Sequence, residues 1–104
     1  MINADRALRD ALQKYMNSNN YHPDKLKHQL IKRAYDPENM LIKKGLEAAL
    51  EGTIVITPLA FEGLTNSLSD TQEEVNEWML MLWNYIYNNG PNPDQEEDSA
   101  DIIG

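Results

Sequence analysis

The sequence predicts an all-α fold: a compact bundle of four to five short helices, followed by a disordered acidic C-terminal tail. Three observations predict it. Apolar residues recur at three- and four-residue steps through most of the first 88 positions. Capping residues, several with a proline just inside them, punctuate those stretches. And the chain holds one β-branched run, Thr53-Ile54-Val55-Ile56-Thr57, with no second run to pair with it. A lone strand has nowhere to place its backbone hydrogen bonds, so an extended connector that tucks Ile54 and Ile56 into the core is the expectation.

The first helix is carried by Ala4, Ala7, Leu8, Ala11, Leu12, Tyr15 and Met16, which make one stripe. Asn3 caps it and Asp5 meets the positive end of the helix. Asn17-Ser18-Asn19-Asn20 ends it, because these side chains compete for backbone hydrogen bonds. A second helix is predicted from Pro23 to Tyr35, with Leu26, Leu30 and Ala34 on one side, Ile31 beside them, and Lys25, His28 and Lys32 opposite. The third starts at Asp36-Pro37, with Tyr35 and Met40 spaced as a hydrophobic staple, and stops at Gly52. Its apolar face takes Leu41, Ile42, Leu46, Ala48, Ala49 and Leu50. Thr57-Pro58 restarts helix through Leu59, Phe61, Leu64 and Leu68. Ser69 and Gln72 fit a capping box for a long last helix that runs to about Asn88, with Val75, Trp78, Met79, Leu82, Trp83 and Ile86 on one face and Tyr85 at its edge. Asn88-Asn89-Gly90-Pro91 stops it. Residues 1–90 thus read as a helical domain and 91–104 as a flexible tail, which holds five acids, no base and two prolines. The pair Ile102-Ile103 is out of character there, and docking on the domain or on a partner would account for it.

A chain of 104 residues with 41% apolar composition makes one domain of modest core. The absence of cysteine excludes a disulfide framework, a thiol nucleophile and thiolate zinc sites. No apolar run approaches the roughly 20 residues that span a bilayer, and the N-terminus lacks a signal-peptide order. A cytoplasmic protein without a membrane segment is the expectation.

The charge is two-ended. All nine bases lie in the first 44 residues beside five acids, a net of +4, while residues 45–104 hold twelve acids and no base, a net of −12. Such a field favours a basic partner on one side and repels nucleic acid over most of the surface.

Chemistry is hard to place. His22 and His28 are six apart and share no helix face, so they do not make the i, i+4 metal pair. The serines sit in turns, caps or the tail, the glycines are scattered, and Glu73-Glu74 has a helix-capping role available. The reading is therefore not an enzyme, with no catalytic residue, no metal and no cofactor. A basic patch of Lys25, His28, Lys32, Arg33, Lys43 and Lys44 is the candidate for nucleic acid. Without basic–aromatic interleaving it reads better as lysines that are solvated or that face the acidic half.

The last helix says more. Beyond its core face, Leu80 and Tyr87 are seven apart and lie on one stripe next to Trp83, bordered by Glu73, Asn76, Glu77 and Asn84. Either this helix is buried nearly all round, or the stripe is a protein-binding face, with aromatic anchors inside a charged rim. In size, charge and helicity the chain resembles small acidic immunity proteins and nuclease inhibitors, although no motif covers any stretch of it. That resemblance implies a non-catalytic protein that masks a basic surface of a partner, such as a toxin or nuclease-like domain. Two alternatives are a module that self-associates head to tail through its opposite charges and a nucleic-acid-associated regulator using the basic half.

Overall fold

Five helices and one minute hairpin follow each other in a computed structural model that describes residues 3–93. The first helix, α1 (Ala4–Tyr15), starts where Asn3 accepts from the Arg6 N–H, and buries Ala7, Leu8, Ala11 and Leu12. The asparagine cluster ends it by forming a hairpin that the sequence did not announce. Strands β1 (Met16–Asn17) and β2 (Asn20–Tyr21) pair antiparallel, Met16 opposite Tyr21. The Asn17 side chain accepts from the Asn19 N–H, and its amide donates to the Leu64 carbonyl at 3.0 Å. The same side chain thus shapes the turn and pins it to the fourth helix.

Helix α2 (Pro23–Lys32) stops three residues before the predicted Tyr35. The cause is Asn39, from the next helix. It is buried, and its amide donates to the carbonyls of Gln29 and Arg33 at 3.1 and 3.0 Å. Each of those carbonyls also accepts a backbone N–H, Gln29 from Arg33 and Arg33 from Asp36, so the Asn39 amide is a second donor to both and ties the start of the next helix to the end of this one. Ala34 is consequently exposed, as is Ile31.

Helix α3 (Pro37–Glu51) has the start and stop read from the sequence. Asp36 accepts from the Glu38 N–H, and Gly52 takes the left-handed conformation at φ 87°. The predicted staple is absent: Tyr35 is 92% exposed and Met40 46%. The buried face is also narrower than expected, consisting of Asn39, Ile42, Gly45 and Leu46, with Leu50 left outside. Gly45 is the key to the most extensive helix pair, α1 against α3. A Cβ there would lie 2.5 Å from the Ala4 carbonyl oxygen and 2.8 Å from Leu8 Cβ, so only glycine permits this approach.

Residues 53–57 form the extended connector expected, with Ile56 buried and Ile54 half-buried. Helix α4 (Pro58–Thr65) is capped by Thr57, which accepts from the Ala60 N–H. It buries Phe61 and Thr65, whereas Leu59 and Leu68, expected on the apolar side, are 80% and 79% exposed. Helix α5 (Gln72–Tyr87) begins two residues later than a Ser69 cap would place it. Thr71 accepts from the Glu74 N–H, and the Glu74 carboxylate reaches back to the Asp70 N–H. Two overlapping capping patterns were available, and the one starting at Thr71 is used. At the other end, the Gly90 N–H donates to the Asn84 carbonyl while Asn89 takes a positive φ of 57°.

The core joins all five helices through Leu8, Leu12, Leu26, Leu46, Phe61 and Leu82, with the Phe61 ring edge-on to Trp78 at 4.9 Å. Of the stretch read as a tail, residues 91–93 are described, and Asn92 accepts from the Tyr21 hydroxyl at 2.6 Å. The remainder, with Ile102-Ile103, lies outside the described residues. Among those described, no helix is long and apolar enough to cross a membrane.

Candidate functional site

The core face of α5 is Val75, Trp78, Met79, Leu82 and Ile86, all buried. One indole, Trp78, is therefore structural. The residues at three- and four-residue steps on the other side are Glu73, Asn76, Glu77 and Leu80, all exposed, followed by Trp83, Asn84 and Tyr87, which are half-buried. The predicted strip exists as one continuous stripe, and it changes character along its length.

Its first half is open and acidic. Leu80 is 49% exposed and Met81, on the adjoining flank, 39%. Glu73, Glu74 and Glu77 precede them in the first two turns. Of the flanking amides, Asn76 accepts from Gln72, whose amide also donates to the Ile56 carbonyl at 2.8 Å. That bond fixes the start of α5 on the connector and so fixes the direction of the acidic turn.

The second half is more enclosed. The Trp83 and Tyr87 rings touch at 4.4 Å between centroids, and Lys43 of α3 lies 5.3 Å from the Tyr87 ring centre. The Tyr87 hydroxyl is shut from solvent with no partner among the described residues. Desolvation, then the nearby Glu47 carboxylate, push its pKa up to about 12. Asn84 is occupied too, since its side chain accepts from Asn88. Tyr85 faces α2, where Lys27 lies 4.9 Å from its ring centre; burial, then Asp24, raise its pKa.

The basic and acidic halves of the chain thus meet through aromatic rings. Among the described residues both ion pairs lie within α1, Arg9 with Asp5 at 2.7 Å and Arg6 with Asp10 at 3.6 Å. Among the described residues no acid of α5 is in an ion pair with a base of the N-terminal half. Residues 3–93 carry nine bases and twelve acids, a net of −3.

The basic candidates divide. All six are exposed. His28 and Lys32 flank a small apolar notch with Ile31 and Tyr85. Lys43 and Lys44, with Glu47, line a larger groove of about 540 Å³ between α2, α3 and the end of α5, whose apolar part is Leu30, Ile31, Ala34, Met40 and the Tyr35 and Tyr87 rings. Arg33 lies in the turn beside it and Lys25 lines neither. Sequence reasoning missed what stands among these bases. Tyr35, assigned to a staple, and Ile31, assigned to the side of the core, both face solvent, so the basic patch does carry an aromatic ring. Tyr35 lies in the turn that follows the early end of α2 at Lys32, and Ile31 lies in the last turn of that helix on its exposed side; no local signal marks either.

A third cleft, about 170 Å³, lies between α1, α2 and α3. Tyr15, Gln29 and Asn39 line it as a closed chain: Tyr15 donates to Gln29 at 2.6 Å and Gln29 to Asn39 at 2.7 Å. Its amides are satisfied by one another, and acids and bases alternate at its mouth. His22 sits at the N-cap of α2, apart from His28. Among the described residues no three potential metal ligands converge. Searches among known protein families, curated proteins and solved structures found no match to this chain.

Proposed function

We propose that this chain is a non-catalytic binding protein that masks a basic surface of another protein through the outward face of α5, in the manner of an immunity protein or inhibitor. The observation that carries the reading is the first half of that face. Leu80 and Met81 stand half-exposed beside Trp83, one to two turns after Glu73, Glu74 and Glu77, and none of these carboxylates is in an ion pair among the described residues. An apolar centre inside a charged rim is the anatomy of a specific interface. Leu80 and Trp83 supply the anchor, and the carboxylates supply attraction and orientation. The anchor is Leu80, Met81 and Trp83 more than Tyr87, because Tyr87 turns toward α3 and Asn84 is held by Asn88. A cationic partner such as a toxin or nuclease-like domain, whose basic groove would be occluded, fits that rim.

The test is affinity capture from the source cells with three baits: the native chain, Leu80→Glu and Leu59→Glu. Leu59 is more exposed than Leu80 and lies on α4, so it controls for loss of any surface leucine. The expected result is a strongly basic protein retained by the native chain and by Leu59→Glu, and lost with Leu80→Glu. Equal retention by all three would remove α5 from the account.

A further inference from the structure

A second surface is built differently. Tyr35 is 92% exposed, Ile31 45% and Met40 46%, and together with Ala34 and Tyr87 they line the groove between α2 and α3. Lys43 and Lys44 line it with Glu47, Arg33 stands in the adjoining turn, and Lys27, His28 and Lys32 line, with Asp24, the notch that continues it along α2, so bases outnumber acids in both. None of these bases is in an ion pair among the described residues. A patch this apolar and this cationic asks for an occupant that is acidic and ends in aliphatic side chains.

We propose that the occupant is the chain's own segment 94–104, with Ile102 and Ile103 seated on Ile31, Tyr35 and Met40 and the run Glu96-Glu97-Asp98 passing along the bases of α2. Three observations single it out. The segment holds five acids and no base, opposite in sign to the groove. Its one apolar pair is otherwise unaccounted for. And the body releases it beside α2: Tyr21 holds Asn92, and Lys27 approaches Asn89 at 3.4 Å. The nine residues from Pro93 to Ile102 reach up to roughly 30 Å, whereas Lys27 and Lys32 are only about 7.5 Å apart along the helix. A tether this short gives an effective concentration of about millimolar, so a weak contact is enough to hold the segment in place. Docking would cover the +4 half of the chain from within, and the α5 acids would remain the outward charge. The inference does not rest on the α5 reading, and either can fail without the other.

The native chain has no cysteine, so Ala100→Cys gives one site for a nitroxide label. On the full-length protein we expect the amide signals of Ile31, Tyr35, Met40 and Lys44 to broaden, while those of Leu59 and Leu80 do not. Adding Ile102→Ser with Ile103→Ser restores the broadened signals, and so does Lys43→Glu with Lys44→Glu. Broadening that survives the isoleucine changes, or that falls elsewhere, overturns the proposal. A mixture of labelled, isotope-silent chain with unlabelled, isotope-enriched chain separates the remaining occupants: broadening there assigns the groove to a second copy and overturns docking within one chain. If no broadening appears and an oligonucleotide shifts these same amides, the groove belongs to nucleic acid, and the proposal fails as well.

Discussion

Two apolar surfaces of similar exposure lie on opposite electrical halves of this molecule, and they meet at Tyr87. On α5, Leu80 and Met81 follow Glu73, Glu74 and Glu77 along the helix; between α2 and α3, Ile31, Tyr35 and Met40 lie beside Lys43, Lys44 and Arg33, with Glu47 on the same groove. Burial of apolar area would drive association at either one, at roughly 25 cal/mol per Å² in both. What separates them is the sign of the rim, and rim charge governs which partner arrives and how fast more than how tightly it stays. The proposals follow that contrast: a foreign basic protein for the first surface and an acidic segment for the second.

The comparison assumes a common scaffold, and the α1–α3 contact is where that scaffold breaks most easily. Gly45→Val places new atoms where the Ala4 carbonyl and Leu8 already are, and overpacking of this kind costs about 3 kcal/mol. Urea unfolding followed by tryptophan fluorescence should show the lowered midpoint, and both surfaces should lose binding together. A midpoint equal to that of the native chain would mean that the two helices are not held as closely as described.

Leu80→Glu sharpens the comparison by striking one surface only. It should weaken partner binding by about 2 kcal/mol or more, as loss of an interface anchor does, and leave stability within about 0.5 kcal/mol. Calorimetric titration and urea unfolding read the two effects separately. A large loss of stability would show that Leu80 serves the fold.

Asn39→Ala strikes the other side. It removes the second donor to the Gln29 and Arg33 carbonyls and the acceptor of the Gln29 side-chain amide. A cost of about 1.5 kcal/mol is expected, together with faster amide exchange in the 33–36 turn and a rearranged Tyr35. Unchanged exchange there would show that the turn is set by its own residues.

The smallest effect belongs to the residue shared by the two surfaces. Burial and Glu47 hold the Tyr87 phenol protonated to about pH 12, against an ordinary value near 10. Because the native state binds this proton more tightly than the unfolded chain, the contribution is complete below pH 10 and is lost as pH rises through 12. Tyr87→Phe should remove that part of the alkaline decline in the urea midpoint. It should also raise stability at neutral pH by about 1 kcal/mol or less, since it deletes a buried hydroxyl with no partner. A variant that declines in parallel with the native chain from pH 10 to 12 would contradict this assignment.

Elements fixed by neighbours in sequence were legible from the residues. Asn3, Asp36-Pro37, Thr57-Pro58 and Gly52 act within one turn of themselves, and each holds the position expected of it. The connector at 53–57 followed from counting, since a single β-branched run has no partner. Features set by residues far apart along the chain were not legible. Asn39 reaches the end of α2 only because α3 folds back across it, and Tyr35, in the turn between them, is left without its staple. Gly45 reads as an ordinary weak point in a helix until Ala4 lies against it. The capping box before α5 failed for a different reason: Ser69 with Gln72 and Thr71 with Glu74 both satisfy the pattern, and the backbone uses the second. At the candidate site the stripe itself was visible in the i, i+3 and i, i+4 spacing. Its graded character was not, because the enclosure of Trp83 and Tyr87 depends on where α3 puts Lys43 and Glu47.

The central claim is that unpaired carboxylates on α5 draw in a basic protein surface. Stopped-flow association with the captured partner, from low to high ionic strength, tests it most directly. The account predicts a rate that falls at least tenfold as salt shortens the Debye length from about 30 to 8 Å, and a shallower fall when Glu73→Gln and Glu77→Gln are combined. An association rate indifferent to salt, or one that these two changes leave as steep as before, would contradict it.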